Sequence, residues 1–496
     1  MAWALVVFAW LTLRHIHDSV FLEDQTDQLQ NFEALLRLQP EALLGPPMSG
    51  TRPTAHAFGP IGAIVLGLPV ALGLGIDGTH AITSLLIAGA AAVAFLVLLR
   101  IDEPFAWLWF LVFSATGLVW WNAGLFWAST LLLPLGVLLL AVAASCLGRP
   151  SLFTIALLIL TVVLAMQIHP AAGVAVPVVA IVALVSTLSP GPLGGARPTQ
   201  RQSLAIAALT LVAVGPYVVS ESLTRLQNSR AMLAHVQQAT EEQALAVDTA
   251  EQTLLIASDP TGALADVGLS NRAVIAVGAA LAAVAVVALW KTRSSRGDAR
   301  RVLLWLTVAT IVGVGTQATF FALMRRPLGG YHYVSLLAPF YAVVPAAFLR
   351  EVLARFLDRR RAPIVLACAC VAFLVWTGPS RADRAMAPAM WSYRNIVAAV
   401  NDLCDGGVAD TAEGDGFAAT VNPHHDGVLQ YLMKRNFTNC RYQPGSAVLI
   451  AASRDGHFAD WHVANGQRYR RDTVRFPGIA LYRRVPPDQG NAATSN

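Results

Sequence analysis

The sequence predicts an all-α polytopic membrane bundle of about 11 transmembrane helices, followed by a small C-terminal α/β domain outside the cytoplasm. Of its 496 residues, 55% are hydrophobic and 13% are charged, and the mean hydropathy is +0.56. Soluble domains contain about a quarter charged residues, so this composition indicates a membrane protein. Apolar runs close to the ~20 residues that cross a bilayer recur along most of the chain.

The bundle prediction rests on a series of apolar segments, the first of which opens the chain. Residues 1–13 lack the basic start and the small-residue cleavage site of a secretory signal, so we interpret them as a retained membrane helix. The other segments are residues 61–76, 81–99, 105–121, 124–147, 152–168, 171–188, 204–220, 271–290, 302–324, 332–349 and 364–377.

The predicted orientation follows from Arg and Lys clusters in the short loops between these segments. Positive side chains concentrate on the cytoplasmic side of a membrane, which places the clusters at 291–301 and 350–361 on that side. The hydrophilic regions 221–270 and 378–496 are then external. The net charge of +5 reflects these loops, so we expect membrane lipids as partners and no nucleic acid.

The segment 61–76 decides on which side the first loop, residues 14–60, lies. Twelve full crossings place this loop in the cytoplasm, and eleven place it outside. The segment is short and interrupted by Gly and Pro, so we predict a partial or interfacial helix covered by protein or a wet cavity. The sequence thus predicts a transmembrane domain over residues 1–377, with a cytoplasmic N-terminus, in the inner membrane of a bacterium.

The external C-terminal region, residues 378–496, has the composition of a small α/β domain, with Gly and Asp residues that indicate turns. Cys404 and Cys440 lie in this region, and outside the cytoplasm they are predicted to form a disulfide. The pattern between the turns predicts two helices and three strands, at residues 391–404, 426–434, 417–421, 447–452 and 479–485.

The first loop carries acidic residues ahead of an amphipathic helix. A carboxylate at the membrane surface can act as a general base toward an acceptor hydroxyl, and Asp24 is our candidate, with Glu23 and Asp27 as neighbours. The alternative is a set of surface acids stabilised by the dipole at a helix N-terminus. Helical spacing predicts one apolar face with Leu29, Phe32, Leu35, Leu36 and Leu38, and a polar face with Gln28, Asn31, Glu33 and Arg37.

Two polar clusters end apolar segments on the predicted outer face. Asn122 follows two Trp residues, and Gln167 and His169 lie at the end of another segment. A Gln and a His so close to the end of an apolar helix are costly unless they face a cavity or a partner. The alternative for His169 is an interfacial histidine whose hydrogen bonds are satisfied.

A third cluster on the same predicted face contains Arg325, Arg326, Tyr331 and His332 around a Gly-rich turn. The guanidinium fork matches the oxygens of a phosphate, so this cluster predicts a phosphate site. The alternative is anchoring to lipid headgroups.

Together these features resemble the GT-C superfamily of membrane glycosyltransferases, which includes protein O-mannosyltransferases and the lipid A aminoarabinose transferase. The resemblance covers the whole topology: one helix, an acidic external loop, many helices and an external C-terminal domain. In that superfamily the first external loop carries the catalytic Asp, often as Asp-Glu or Asp-Asp. Here the matching pair is Asp24-Gln25, with Glu23 before it.

A closer resemblance is to bacterial members with a Gly-Pro…Ser…Gly…His-Pro-Gly-Pro loop, followed by Trp-Asn-Pro and Gln-x-His. Residues 45–60 fit the loop, with Ala57-Phe58 where His-Pro is expected and His56 one place earlier. Trp121-Asn122-Ala123 lacks the Pro, and Gln167-Ile168-His169 fits fully.

The resemblance implies an inverting glycosyltransferase. Its donor would be a polyprenyl-phosphate-linked sugar, and its acceptor a cell-envelope glycan, lipid or protein. Asp24 would be the base, and Arg326, with Arg325 and His332, would hold the donor phosphate. No cofactor is implied. The cleft would be lined by His56, Asn122, Gln167 and His169.

A non-enzymatic transporter or flippase of lipid-linked sugars is the alternative function. A transporter is expected to show internal repeats and paired broken helices near mid-membrane. The polar residues here gather at one predicted face, which favours the enzyme. A bound divalent metal is a further alternative, because His424-His425-Asp426, or His15, His17 and Asp18, could bind one. Ordinary loops have the same composition.

Overall fold

The protein was analysed as a computed structural model. The structure describes residues 2–14, 16, 23–45, 59–125, 127–188, 199–231, 246–292, 298–324, 332–356, 361–380, 395–399, 401, 448–452, 460–464, 467–476 and 479–484.

The described part of residues 1–377 is helical. Its first half contains α1 (Ala2–Leu13), α2 (Glu23–Leu36), α3 (Ile61–Ala71), α4 (Gly75–Ile101), α5 (Glu103–Ala115), α6 (Gly117–Ala123), α7 (Leu132–Gly148), α8 (Leu152–Ile168) and α9 (Val176–Leu188). Short 3-10 helices span Pro40–Leu44, Ala128–Leu131 and Pro170–Ala175. The second half contains α10 (Gln200–Leu223), α11 (Ala246–Ser258), α12 (Ala263–Asp266), α13 (Asn271–Thr292), α14 (Asp298–Met324), α15 (His332–Ser335), α16 (Ala338–Tyr341), α17 (Val343–Leu353) and α18 (Ala362–Trp376).

Among the described residues, 6 helices are long and apolar enough to cross a membrane, and 7 if α5 and α6 form one bent span. Those two helices meet at a bend of 62°. Four shorter apolar helices, α1, α3, α8 and α18, accompany them. The chain is therefore a multi-pass membrane protein, while the total of eleven crossings and their orientation stay predictions.

Helix α3 occupies the segment that the sequence predicts to be a partial helix. Its 11 residues span about 16 Å, roughly half of the ~30 Å hydrocarbon core. The chain then turns at Gly73 and Gly75, whose φ angles of 84° and 68° lie in the region that glycine tolerates best. Thr79 in α4 donates a hydrogen bond to the carbonyl oxygen of Leu66, at 3.4 Å. Helix α3 thus packs against the start of α4 and is too short to cross the membrane.

Aromatic side chains fix the relative positions of α1, α4, α5 and α6. Phe8 of α1 lies 5.5 Å, centroid to centroid, from both Phe110 and Trp120. Phe95 of α4 meets Trp107 edge-on at 4.8 Å. Edge-to-face pairs of this kind contribute about 0.5–1.5 kcal/mol each beyond the burial of their area. These four helices therefore form a rigid frame for the polar residues described below.

A partly buried ion-pair network joins helices α5, α14 and α17. Asp102 caps α5 by accepting a hydrogen bond from the Phe105 N–H. The Arg350 guanidinium donates to Asp102 Oδ2 at 2.5 Å and to Glu351 Oε1 at 2.8 Å. Glu351 Oε2 in turn accepts from Arg300, which is 2% exposed. The network thus connects α5, α17 and α14.

Arg350→Ala is expected to lower the midpoint of thermal unfolding in detergent, because it leaves the Asp102 carboxylate buried without its main partner. We expect a loss of about 3 kcal/mol, near the lower end of the cost of breaking a buried ion pair. Arg149→Ala is the matched control, since this arginine is exposed. Equal midpoints in the two variants would show that the network does not stabilise the bundle.

The C-terminal region contains a four-stranded antiparallel sheet of order β1-β4-β3-β2, built from Val448–Ala452 (β1), Trp461–Ala464 (β2), Gln467–Phe476 (β3) and Ile479–Arg484 (β4). Strands β1 and β4 coincide with two predicted strands, and the sequence analysis missed β2 and β3. Within the predicted helix 391–404, residues 395–399 are helical. The predicted elements 417–421 and 426–434, and both Cys404 and Cys440, lie outside the described residues. The α/β domain therefore stays a prediction.

Candidate functional site

Helix α4 has two ends that differ in their chemistry. Asp102 and its ion pairs follow the last turn of α4, whereas His80 lies in the second turn. The two residues are 22 positions apart, which corresponds to about 33 Å of helix. The polar residues around the first end, His80, Asn122 and Ser335, are called the His80 face below.

His80 joins three parts of the chain. Its side chain is fully buried, with Nδ1 3.1 Å from the carbonyl oxygen of Ile16 and Nε2 2.7 Å from that of Ala123. Ser84, one turn further along α4, donates a second hydrogen bond to Ala123 O at 3.2 Å. Ile16 lies at the start of the first loop, and Ala123 ends α6. The sequence analysis did not single out His80, although a histidine within an apolar segment was a usable signal.

Asn122 connects α6 to α15. Its side-chain amide donates to Leu118 O at 2.7 Å and to Ser335 Oγ at 3.0 Å, and the Ser335 hydroxyl donates back to Asn122 Oδ1 at 3.2 Å. Asn122 is 1% exposed. Ser335 lies in the same short helix as His332, so Asn122 contacts the helix that follows the predicted Arg325–Arg326 cluster. In these contacts Asn122 acts as a buried link between helices.

Gly136 allows the chain after α15 to lie directly on α7. A Cβ at this position would overlap the backbone carbonyl of Leu336. Leu336 follows Ser335, the partner of Asn122. The close approach of α7 therefore fixes the C-terminal side of the segment that carries the predicted phosphate site.

Gln167 meets the end of the first loop. Its side chain packs so closely on Gly59 that a Cβ there would overlap the amide. The same amide donates a hydrogen bond to Ala213 O of α10, while Gln167 Oε1 has no hydrogen-bond partner among the described residues. The structure thus joins two motifs, Gly59-Pro60 and Gln167, that are more than a hundred residues apart.

His169 lies in the turn between α8 and the 3-10 helix Pro170–Ala175. Its Nδ1 accepts a hydrogen bond from the Ala171 N–H at 3.1 Å and so caps this 3-10 helix. Burial lowers the pKa of His169 to about 4, so the ring is neutral at physiological pH. Because Nδ1 is an acceptor, the proton lies on Nε2, which acts as a donor.

Helix α2, which carries the first-loop acids, lies against α3. Phe32 packs on Gly67, and Gln28 lies beside Gly62. The predicted faces of α2 are partly wrong: Gln28 is 6% exposed, whereas Leu36 and Leu38 are 62% and 87% exposed. Gln28 is buried because the protein covers both faces of the first turns of α2, whereas the pattern assumes that only one face is covered. Gln25 and Thr26, at 2% and 0% exposed, are buried there as well. Leu36 and Leu38 lie at or beyond the end of α2.

Several predicted site residues lie outside what the structure describes. Glu23 and Asp24 belong to the first turn of α2, and His332 begins α15, but their side chains are outside the described part. Asp27 is half-buried. Whether Asp24 and Arg326 share a pocket therefore stays a prediction. The residues wholly outside are His56, Arg325, Arg326 and Tyr331.

Glu221 is a further buried carboxylate that the sequence analysis missed. It lies near the end of α10, is 3% exposed, and accepts a hydrogen bond from the Ser229 N–H at 3.0 Å through Oε1. Its Oε2 has no hydrogen-bond partner among the described residues. Within the same part of the chain, no group of three or more His, Cys, Asp or Glu side chains is placed to hold a metal ion.

An apolar groove of about 240 Å³ lies between α11, α13, α14 and α17. Leu254, Ile275, Val314 and Val344 are among the residues that line it. Tyr341 also borders the groove, and its hydroxyl donates to Gln317 Oε1 at 2.5 Å. Tyr341 follows Ser335 by six residues, so the groove and the His80 face are connected through one short segment.

Comparison with solved structures identifies the fold, whereas no protein-family model and no curated protein matches the sequence. ArnT from Cupriavidus metallidurans bound to undecaprenyl phosphate aligns over 98% of this chain and 97% of its own, with a TM-score of 0.52 and 13% identity. The apo state of ArnT aligns over 97% and 96%, with the same TM-score and identity.

The archaeal oligosaccharyltransferase AglB from Archaeoglobus fulgidus aligns over 90% of this chain and 69% of its own, with a TM-score of 0.44 and 10% identity. ArnT is a GT-C glycosyltransferase, and the alignment with it extends over nearly the whole of both chains. The chain therefore has the GT-C fold that the sequence resemblance implies.

Proposed function

We propose that this protein transfers a sugar from a polyprenyl-phosphate donor to a glycan, lipid or protein of the cell envelope at the outer face of the membrane. The observation that carries the proposal is the match over nearly the whole chain to ArnT, which was solved with undecaprenyl phosphate bound. The contacts of the His80 face support it, because they gather the ends of several helices and the first loop at one end of α4.

In the proposed reaction, an acceptor hydroxyl oxygen attacks the anomeric carbon of the donor sugar. The bond between that carbon and the phosphate oxygen breaks, and polyprenyl phosphate leaves with the bonding electrons. The hydroxyl proton passes to the Asp24 carboxylate, and the anomeric configuration inverts. Glu23 and Asp27 lie within one turn of Asp24 along α2. The burial of Gln25 and Thr26 supports this role, because it holds the start of α2 firmly against the protein.

The phosphate of the donor is bound by Arg325 and Arg326, with Tyr331 and His332 beside them. Guanidinium groups donate paired hydrogen bonds to phosphate oxygens and stabilise the charge that grows on the leaving group. To position these side chains on a phosphate, the segment 325–332 must be anchored at its C-terminal end. The bond between Asn122 and Ser335 and the contact of Gly136 with Leu336 supply that anchor.

The apolar groove beside Tyr341 accommodates part of the polyprenyl chain. Its lining is mostly apolar, and two of the helices that flank it, α13 and α14, are long enough to cross a membrane. A lipid chain in this groove leaves its phosphate close to the segment around Ser335. The reaction as proposed needs no cofactor.

The test is a transfer assay with purified protein in vesicles, supplied with polyprenyl-phosphate sugars and with lipid and glycan acceptors from a bacterial envelope. We expect release of free polyprenyl phosphate and a labelled acceptor, and unchanged rates with and without a chelator. Movement of intact donor across the bilayer without release of polyprenyl phosphate would instead support the transporter.

A further inference from the structure

We propose that His80 is a positioning residue that holds the start of the first loop in register with the ends of α6 and α15. This inference rests on the proposed function, because the first loop carries the proposed base. His80 itself touches neither donor nor acceptor in this account. It acts through Ile16, on one side of its ring, and Ala123, on the other.

His80 contacts two chain segments that are remote from it in sequence. Ile16 and Ala123 are 64 and 43 residues away from His80 along the chain. One ring therefore joins the end of α1, the start of α4 and the end of α6. Ala123 is next to Asn122, whose bond to Ser335 extends the same connection to α15.

The cost of burying a polar ring explains why both nitrogens of His80 face a backbone carbonyl oxygen. A polar ring buried among apolar helices is costly unless its nitrogens find partners. Both partners here are backbone carbonyl oxygens, which only accept. A neutral imidazole donates to one of them, and a doubly protonated imidazole donates to both. An apolar residue of similar size would fill the space without fixing either chain segment.

The two hydrogen bonds are not equivalent. Ser84 gives Ala123 O a second donor at 3.2 Å, so loss of the Nε2 bond is partly compensated. The Nδ1 bond holds the first loop directly, eight residues before Asp24. A displacement of about 1 Å at a catalytic group can lower turnover about 10²-fold, so we expect the Nδ1 bond to control the position of the base.

Matched substitutions separate the two bonds. The amide nitrogen of His80→Asn takes the place of Nδ1, and that of His80→Gln takes the place of Nε2. His80→Phe removes both donors and keeps an aromatic ring. Thr83→Val is the control, because the Thr83 hydroxyl donates to the His80 carbonyl oxygen within α4 and bonds to neither Ile16 nor Ala123 among the described residues.

The expected order of kcat is wild type, then His80→Asn, then His80→Gln and His80→Phe at about 10²-fold below wild type. The KM for the donor is expected to change less than about threefold in all of them, because a shift of the base does not touch the phosphate site. A higher kcat for His80→Gln than for His80→Asn would overturn the proposal, and so would an increase of KM at constant kcat.

Hydrogen–deuterium exchange on the full-length protein distinguishes this proposal from the proposed function. Peptides that contain Ile16 are expected to exchange faster in His80→Gln and His80→Phe than in His80→Asn and Thr83→Val. If the wild-type protein transfers no sugar and the variants show this exchange pattern, the proposed function is refuted, whereas the role of His80 in holding Ile16 stands. Equal exchange in all four variants would refute the connection, whatever the activity.

Discussion

Asp24→Asn is expected to abolish sugar transfer while the protein stays folded. The substitution keeps the shape of the side chain and removes the group that accepts the proton of the acceptor hydroxyl. General-base catalysis contributes about 10²- to 10⁴-fold to such reactions, so kcat is expected to fall by at least about 10²-fold. The measurement is the initial rate of polyprenyl phosphate release in vesicles, together with the thermal midpoint of each protein.

The control for this prediction is Glu33→Gln, which removes a negative charge from the same helix α2 about 13 Å further along it. Glu33 is half-buried, so Glu33→Gln shows whether the loss of any carboxylate charge from α2 is enough to lower the rate. Full activity of Asp24→Asn would show that another group takes the proton, and Glu23 or Asp27 would become the candidates.

Arg326→Ala is expected to raise the KM for the donor about 10- to 100-fold, because one hydrogen bond to a charged group contributes about 1.5–3 kcal/mol. Arg326→Lys should recover only part of the loss, since a lysine keeps the charge but not the planar fork. The measurement is the donor concentration dependence of the transfer rate. Arg272→Ala is the control, because Arg272 is exposed at the start of α13. A normal KM in Arg326→Ala would assign this cluster to headgroup anchoring.

The helical part of the fold was predictable because apolar composition dictates it. An apolar run as long as α4 or α7 has no stable alternative to a helix in a membrane, where the backbone must satisfy its own hydrogen bonds. The break between α5 and α6 was not predictable from hydropathy, since both helices belong to one continuous apolar run, 105–121. It is defined by Thr116, whose extended backbone separates the two helices.

Polar residues at the ends of apolar segments correctly predicted contacts between distant helices. They did not show whether these residues also bind a substrate. Gln167 was selected because a polar side chain near the end of an apolar helix needs a partner, and Asn122 because it matches the Trp-Asn-Pro motif of the resemblance. The structure supplies partners from distant helices, Ser335 for Asn122 and Ala213 for Gln167. Sequence alone cannot tell a protein partner from a substrate, because both satisfy the same hydrogen-bonding requirement. Their role in lining a cleft stays a prediction.

The faces of α2 show a further limit of periodicity. The pattern of Leu29 and Phe32 correctly predicts a helix with a buried side. It places Gln28 on the solvent side, because the pattern assumes that only one face of a helix is covered. The start of α2 is enclosed more fully, by contacts such as that of Gln28 with Gly62, and those contacts involve residues remote in sequence.

The ion-pair network and His80 were missed for a related reason. Asp102, Arg350 and Glu351 appeared as ordinary loop charges, and the arginines served only to predict orientation. Their pairing depends on how α5, α14 and α17 meet, which no local pattern contains. In the same way, strand β3 carries the charged sequence QRYRRDTVRF, and its pairing with β2 and β4 rather than its composition makes it a strand.

The most direct test of the account is a structure of the protein with undecaprenyl phosphate, solved in lipid nanodiscs. His80 and Asp102 lie about 33 Å apart along α4, so the two possible positions of the phosphate are easily distinguished. We expect the phosphate to lie at the His80 face, between the first turn of α2 and residues 325–332, with the lipid chain in the groove beside Tyr341. A phosphate bound at the opposite end, next to the Asp102–Arg350 ion pair, would contradict it.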